Sequence, residues 1–467
     1  MEIFHVGSLA ILRFALISSC LLAQVASPAT VSNPAVIGPI PAMVPPRNTS
    51  HDYPFFATPV DLARYGYIEE EFFLDGAANR YSTPPLTTGS IIDGGHWYRT
   101  RMLVRRPTSA SNFNGTVLME WLNVTAGYDL DAVWLQLHDH LIRRGYAWVG
   151  VSVQQLGIHH PATGLRAWSP NRYGTLDVTE GGAILDDSLS YDIFSQAAQA
   201  VRSPVGVDPM GGLQVNQIVA TGASQSAYRL AVYHNSIHPL TEIFDAYSLG
   251  VGGGLLRTDL EVKVFKVLTE TDLVMLNQAA MRQPDSDHYR RWEVAGAAHF
   301  DFYIAQQTAP LRYRDGMPPA MTDCTLTPFS RIPLRNVMSA ATDHLVRWVT
   351  DDVAPPHAPD IELAAFGPPV VVARDSFGNA LGGIRLSQHS VPTATNTGIN
   401  SGPEFCYIYG SFEPFPGAQL SALYPNHGSY VGQVARATDE NLERGFLVIE
   451  DATATVQEAA QSDIGKQ

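Results

Sequence analysis

A serine set between two small residues is the first feature of this sequence that could carry out chemistry. In the segment VATGASQSAYRL, Ser224 follows Gly222 by two places and precedes Ser226 by two places. A nucleophile on a sharp strand-to-helix turn needs small neighbours at these positions, because its backbone is strained and the flanking chain passes close by. The spacing predicts that Ser224 is a nucleophile. Ser226 fits the pattern less well, since its own +2 neighbour is the bulky Tyr228.

Two later segments supply the base and the acid that a serine nucleophile requires. A serine hydroxyl needs a base to take its proton, and the base needs a carboxylate to orient it. On a parallel sheet the expected order along the chain is serine, acid, histidine. His299 follows the strand-like RRWEVAG, and Glu270 and Asp272 follow the strand-like VKVFKVL. We predict His299 as the base and favour Asp272 as the acid because it lies further past the strand, with Glu270 as the alternative.

The negative charge that develops on a substrate oxygen is expected to be stabilised by two backbone N–H groups. One belongs to Gln225, the residue after the predicted nucleophile. The other is expected from the loop that follows the apolar run TVLMEWLNV, where Asn123, Val124 and Thr125 are candidates. We favour Val124, and the alternative interpretation of this segment is a plain turn.

An alternation of buried strands and helices is predicted to position these residues. Continuous apolar runs of strand length predict strands buried on both faces, and helical spacing with basic residues or glycine at the end predicts the helices between them. The predicted strands span 116–124, 146–153, 215–222, 243–249, 262–268 and 290–296, and the predicted helices span 130–145, 190–203 and 337–352. This order indicates an α/β fold with a mostly parallel sheet, whose reactive groups gather at the carboxyl ends of the strands.

The remaining segments divide the chain. We predict a signal peptide at 1–26, an extended Pro/Ala/Ser-rich arm at 27–60, a core at 61–353 and an extension packed on that core at 354–467. Within the core, residues 154–189 are rich in Gly and Pro and are predicted to form a lid-like insertion. The signal peptide is inferred from an apolar run after Arg13 and from small residues near a cleavage site, with a buried helix or membrane anchor as the alternative.

The charge balance excludes some classes of partner. The chain has 467 residues and a formal net charge of −15, without a cluster of lysine and arginine. A nucleic-acid-binding protein needs a basic footprint, and an anionic membrane surface needs cationic side chains to hold it. We therefore expect no nucleic-acid partner and no stable membrane association.

Removal of the signal peptide would leave two cysteines, Cys324 and Cys406. Two cysteines in an exported protein predict one disulfide, with two separate buried thiols as the alternative. Glycosylation sequons occur at Asn48 and Asn114 in segments expected to be exposed, and a third, at Asn123, lies in an apolar stretch and is not expected to be modified. These features predict a secreted glycoprotein.

A set of motifs spread along the chain resembles a family of large α/β hydrolase domain proteins. They are GASQSAYRL, EWLNVTAG, GVSVQQLG, RYGTL, SYDIFSQAAQAVR, the ETD segment, WEVAGAAHFD, FCYIYGSFEPF and ALYPNHGSYV, which together span most of residues 60–455. The resemblance implies an α/β-hydrolase fold with Ser224 as nucleophile and His299 as base. It also implies that the C-terminal extension belongs to the same compact unit as the core.

These residues together predict a secreted serine hydrolase that acts on a small-molecule ester through an acyl-enzyme, with an amide or a lactone as other possible substrates. This chemistry needs no cofactor and no metal. An acyltransferase with the same triad and a non-catalytic binding protein that kept the fold are the alternatives. The sequence leaves the oligomeric state open.

Overall fold

A nine-stranded sheet forms the centre of the molecule in the computed structural model, which describes Met1 and residues 30–466. The predicted signal peptide therefore lies outside the described residues, apart from Met1. The strands of this sheet are β1 (Ala35–Ile37), β2 (Tyr67–Tyr81), β3 (Ile91–Pro107), β4 (Thr116–Trp121), β5 (Ala147–Val151), β6 (Gln217–Ala223), β7 (Ala246–Gly250), β8 (Lys263–Thr269) and β9 (Tyr289–Val294). Every residue of β4, β5, β6 and β9 is buried, as the continuous apolar runs predict.

The strand order is β1-β2-β3-β5-β4-β6-β7-β8-β9. The first four strands in this order pair antiparallel, and the pairs from β5–β4 to β8–β9 are parallel. The predicted α/β architecture with a mostly parallel sheet is confirmed. The chain reverses its direction of travel across the sheet between β4 and β6, and ligands bind at such switch points, outside the carboxyl ends of the strands. The loops after β4 and β6 meet there.

Helices pack on the sheet. Those in the described residues are α1 (Ala132–Arg144), α2 (Gln155–His159), α3 (Leu165–Trp168), α4 (Pro170–Tyr173), α5 (Ser190–Arg202), α6 (Gln225–Val232), α7 (His238–Thr241), α8 (Glu270–Met275), α9 (Phe302–Asp315), α10 (Leu334–Asp351), α11 (Ser387–Ser390), α12 (Gly417–Leu423), α13 (His427–Glu443) and α14 (Ile449–Gln461). Helix α1 contacts β5 and β6, α10 contacts β7 and β8, and α1 and α10 touch each other on one face. Within residues 30–466, no helix combines the length and the apolar character needed to cross a bilayer.

The N-terminal arm and the 154–189 insertion pack on each other. Strand β1 of the arm pairs with β2, and Tyr53 is fully buried. The rings of His51 and Trp168 stack with centroids 4.5 Å apart. Arg172 of the insertion forms an ion pair of 2.6 Å with Glu71 of β2, in which both side chains are buried. These contacts hold the insertion against the arm.

The C-terminal extension packs on the core at several places. Ile384 pairs in parallel with Val294 at the end of β9. Arg143 at the end of α1 contacts Asp451 of α14 at 3.1 Å. The extension also forms two small sheets, one of β10 (Leu363–Ala365) with β11 (Val371–Val372) and one of β12 (Ala394–Thr397) with β13 (Ser411–Pro414).

A disulfide between Cys324 and Cys406 ties the extension to the segment after α9, with Cα atoms 5.5 Å apart. The predicted pairing is confirmed. The two cysteines are separated by 82 positions, so the bond closes a long loop of the unfolded chain.

Removal of this bond should lower the free energy of unfolding. We expect the Cys324→Ala/Cys406→Ala double variant to lose about 4 kcal/mol, because the unfolded chain regains its loop entropy. The measurement is equilibrium denaturation in urea, followed by tryptophan fluorescence. Wild-type protein treated with a reducing agent serves as the control and should shift by a similar amount. An unchanged midpoint in the double variant would contradict the expectation.

Candidate active site

A strained residue lies at the junction of β6 and α6. Ser224 has φ 61° and ψ −121°, a backbone conformation that costs a non-glycine residue about 1–3 kcal/mol. Its amide donates a hydrogen bond of 2.9 Å to the carbonyl of Gly250 at the end of β7. Helix α6 begins at the next residue, Gln225. The sequence pattern predicted this sharp strand-to-helix turn.

The two small neighbours of Ser224 play different parts. A Cβ atom at Gly222 would lie 3.0 Å from Ser226 Oγ, so this position has little room for a side chain. Ser226 is fully buried, and its hydroxyl donates to the Ala223 carbonyl at 2.8 Å and accepts from the Ala223 amide at 3.1 Å. A serine at the +2 position therefore braces the turn through hydrogen bonds, which a glycine could not do.

A third small residue, which the sequence analysis missed, lies behind the turn. A Cβ atom at Gly252 would approach the Ser224 carbonyl oxygen to 2.9 Å and the Ser224 Cα to 3.2 Å. Backbone atoms cannot move aside as a flexible side chain can. Gly252, the first glycine of the run 252–254, thus allows the chain just after β7 to pass directly behind Ser224.

The predicted acid and base are in contact. His299 Nδ1 lies 2.6 Å from Asp272 Oδ1. The other carboxylate oxygen accepts from the Thr269 amide at 2.7 Å and from the Thr269 hydroxyl at 2.8 Å, and Asp272 is completely buried. Because the carboxylate needs a donor, Nδ1 carries the proton, and Nε2 is the nitrogen that can accept one. Asp272 lies in the first turn of α8, where the sequence predicted a loop.

The alternative acid, Glu270, contacts other groups. Its carboxylate accepts from the Arg374 guanidinium at 2.6 Å and from the Gly296 amide at 3.1 Å. Burial raises the pKa of Glu270, and the charge of Arg374 opposes that rise. Glu270 therefore links the extension to the loop that carries His299, and Asp272 is the carboxylate that meets the imidazole.

Asn123 connects the loop after β4 to the nucleophile turn. Its side-chain amide donates to the carbonyl of Ala223 at 2.9 Å. Its backbone and that of Leu130 exchange two hydrogen bonds, of 3.1 and 2.8 Å. The predicted donor loop is thereby fixed beside Ser224.

The same contacts distinguish among the predicted oxyanion donors. The amide of Asn123 is engaged with Leu130, and the amide of Thr125 donates to Asn123 Oδ1 at 2.9 Å. Within residues 30–466 no acceptor is bonded to the amide of Val124. Gln225 is the first residue of α6, so its amide has no acceptor within the helix. In the described part of the chain neither the Val124 nor the Gln225 amide has a hydrogen-bond acceptor, and neither residue belongs to the cavity wall described next.

Ser224 and His299 line one cavity of about 90 Å³. Its wall is mostly apolar and has no residue from 154–189, the segment predicted as a lid. The wall comes from the loops after β4, β6, β7 and β9, from α1, α9 and α10, and from the extension. The lining residues are Asn123, Thr125, Ala126, Leu130, Ala132, Gln136, Ala223, Ser224, Val251, His299, Phe300, Ile304, Arg312, Leu334, Met338, Phe405, Ile408 and Tyr409.

The extension also holds the loops that carry the acid and the base. Three of its carbonyl groups accept hydrogen bonds from residues beside Asp272 and His299. The bonds are Thr271 Oγ1 to Gly398 at 2.5 Å, the Ala295 amide to Ile384 at 3.0 Å and the Phe300 amide to Ile408 at 3.0 Å. The extension is therefore part of the frame of the site.

The two sequons expected to be glycosylated lie outside the cavity wall. Asn48 and Asn114 are exposed, and Asn114 donates through its side-chain nitrogen to the Arg144 carbonyl at 3.0 Å. Asn123 is buried. The described part of the chain has no group of three His, Cys, Asp or Glu side chains arranged to hold a metal ion.

Residues 41–457 match the model of a protein family described as alpha/beta hydrolase domain. Among solved structures, a serine hydrolase without a lid from Xanthomonas campestris is 13% identical, with a TM-score of 0.28, and the match covers 53% of this chain and 97% of the other. A cold-adapted esterase from an Arctic intertidal metagenomic library is 10% identical, with a TM-score of 0.26 and coverages of 53% and 94%. At these values neither likeness supports a conclusion about substrate. No curated protein sequence matches the chain.

The close approach behind Ser224 can be tested with two glycine variants. We expect Gly252→Ala to slow phosphonylation of Ser224 by a fluorophosphonate probe by about a hundredfold, because the new methyl group displaces the turn. Gly254→Ala is the matched control, since its Cβ would meet only Ala231 Cβ at an ordinary 3.6 Å. The measurement is the labelling rate, with peptide mapping of the labelled residue. Equal rates in the two variants would contradict this role of Gly252.

Proposed function

We propose that this chain, which belongs to the alpha/beta hydrolase domain family, is a serine hydrolase that cleaves carboxylic esters. The observation that carries the proposal is the contact of His299 with the buried carboxylate of Asp272 at the wall of the cavity that Ser224 also lines. Serine, acid and histidine follow β6, β8 and β9 in the order expected for such a triad.

The reaction follows from the roles of these groups. Ser224 Oγ attacks the ester carbonyl carbon while His299 Nε2 takes the hydroxyl proton. Asp272 holds the imidazole and stabilises its charged form, and the amides of Gln225 and Val124 donate to the oxyanion. His299 then returns the proton to the leaving alcohol, and an acyl-enzyme remains. Water, activated by the same histidine, releases the acid and restores Ser224.

We further propose that the protein is exported. The support is the signal-peptide pattern of residues 1–26 and the Cys324–Cys406 disulfide, since such bonds persist in oxidising compartments. Exposed sequons at Asn48 and Asn114 are compatible with glycans on the mature protein. We propose one compact unit over the core 61–353 and the extension 354–467.

The triad can be tested by three substitutions. We expect Ser224→Ala to abolish hydrolysis of p-nitrophenyl butyrate and Asp272→Asn to lower kcat by about 10⁴-fold. The donors on Thr269 would keep the amide oxygen of the asparagine, and its NH2 group would then donate to Nδ1 and hold the imidazole in the wrong tautomer. Glu270→Gln is the matched control on the same helix and should lose far less activity, although it should unfold more readily. The measurements are steady-state kinetics and denaturation midpoints. A larger kcat loss in Glu270→Gln than in Asp272→Asn would assign the acid to Glu270.

The cavity volume should limit the acyl group. About 90 Å³ holds only a handful of water molecules, so we expect kcat/KM to peak at acetyl to butanoyl esters and to fall about tenfold or more by octanoyl. Met338→Ala enlarges the apolar wall and should move the optimum to longer chains. Met275→Ala, at an exposed position outside the wall, is the control. A flat profile from acetyl to octanoyl would contradict this limit.

A further inference from the structure

We propose that Arg312 binds a carboxylate of the substrate, so that the preferred ester is the half-ester of a short dicarboxylic acid. This inference rests on the proposed function for the placement of the ester at Ser224. Arg312 lies near the end of α9, and its side chain lines the same cavity as Ser224 and His299.

The guanidinium of Arg312 has no acidic partner. Of the residues in the cavity wall, Arg312 alone carries a permanent charge. No carboxylate of the described residues lies within ion-pair distance of it, and its buried Nε has no hydrogen-bond acceptor. A guanidinium has five N–H donors and stays charged, so a half-buried one without a carboxylate partner favours a ligand that accepts its hydrogen bonds.

Other buried or half-buried arginines of the chain, unlike Arg312, have an acidic partner. Arg314, two residues away on α9, pairs with Asp315 at 2.7 Å. Arg101 pairs with Glu71 at 2.5 Å. The chain as a whole has a formal net charge of −15, so acidic side chains are abundant. That none of them reaches Arg312 in the described residues leaves this guanidinium available to an anion from solution.

Phe300 and Tyr409 line the cavity together with Arg312. The guanidinium carbon of Arg312 lies 5.7 Å from the centre of the Phe300 ring, a contact that satisfies none of its N–H groups. Burial raises the pKa of Tyr409, and the nearby charge of Arg312 opposes the rise. A neutral tyrosine and a fixed cation thus belong to the same wall. The exposed Glu404 is the acidic residue that acts on Tyr409, and it forms no ion pair with Arg312.

The shape of the site selects the anion. The planar fork of a guanidinium matches a carboxylate, which it binds through two parallel hydrogen bonds. The rest of the wall is mostly apolar, which suits a short methylene chain between that carboxylate and the ester. A cavity of about 90 Å³ leaves room for only a few such methylenes. A half-ester of a four- or five-carbon diacid has this composition.

The test is binding to a variant that cannot turn over. In the Ser224→Ala background, isothermal titration calorimetry would compare monomethyl glutarate with methyl glutaramate, in which a neutral amide replaces the carboxylate. We expect monomethyl glutarate to bind tighter by roughly tenfold to a hundredfold, because hydrogen bonds to charged groups exceed neutral ones by this order. Adding Arg312→Met should reduce the ratio of the two affinities toward one, and Arg312→Lys should keep part of it.

Arg331→Gln in the same background is the control, because Arg331 is exposed and lies outside the cavity wall. It should leave the affinity ratio unchanged. Circular dichroism would check that each variant is folded. If Arg312→Met does not fold, the affinity ratio of Arg312→Lys is used in its place. Equal affinities for the two esters, no measurable binding of either, or a ratio that survives Arg312→Met would overturn the proposal. None of these readouts depends on turnover, so the proposed hydrolase function stands or falls separately on its own kinetics.

Discussion

The backbone of Ser224 is the constraint on which the arrangement of this site depends. A non-glycine residue at φ 61° and ψ −121° persists only if its surroundings hold it there. The carbonyl of Gly250, at the end of β7, accepts the Ser224 amide hydrogen. The side chains of Ser226 and Asn123 both bond to the backbone of Ala223, which directly precedes Ser224. The last carbonyl of β6 is thus shared by two side chains. The contacts that hold the strained Ser224 therefore also hold the loop after β4 beside it.

The acid and the base depend on a different set of contacts. Asp272 is held within its own helix turn by Thr269, while the loop of His299 is held from outside, by Glu270 and by carbonyls of the extension. A buried carboxylate needs hydrogen-bond donors, and here each oxygen of Asp272 has at least one. The two carboxylates of α8 thus have different roles. Asp272 contacts the imidazole of His299, and Glu270 holds the loop that carries this histidine.

Much of this could be predicted from sequence because it is local. Buried strands show as apolar runs, and Ser224, Asp272 and His299 stand at strand ends in an order that the fold requires. Long-range packing leaves no such signal. Gly252 is small because the backbone of a residue 28 positions earlier lies against it, and Arg312 is notable only because no acidic side chain of residues 30–466 pairs with it. Composition alone suggested a lid at 154–189, which stays a prediction, and it gave no sign that the segment packs against the N-terminal arm.

The hydrogen bonds from the extension mean that the site can be completed only after its three predicted catalytic residues have been synthesised. Translation delivers Ser224, Asp272 and His299 by residue 299, but the carbonyls that hold the loops of Asp272 and His299 lie at residues 384, 398 and 408. The disulfide partner, Cys406, belongs to the same late stretch. A nascent chain that carries all three side chains therefore still lacks the frame that holds them. The hydrogen bonds that hold the loops of Asp272 and His299 can therefore form only after residue 408 has been added to the chain.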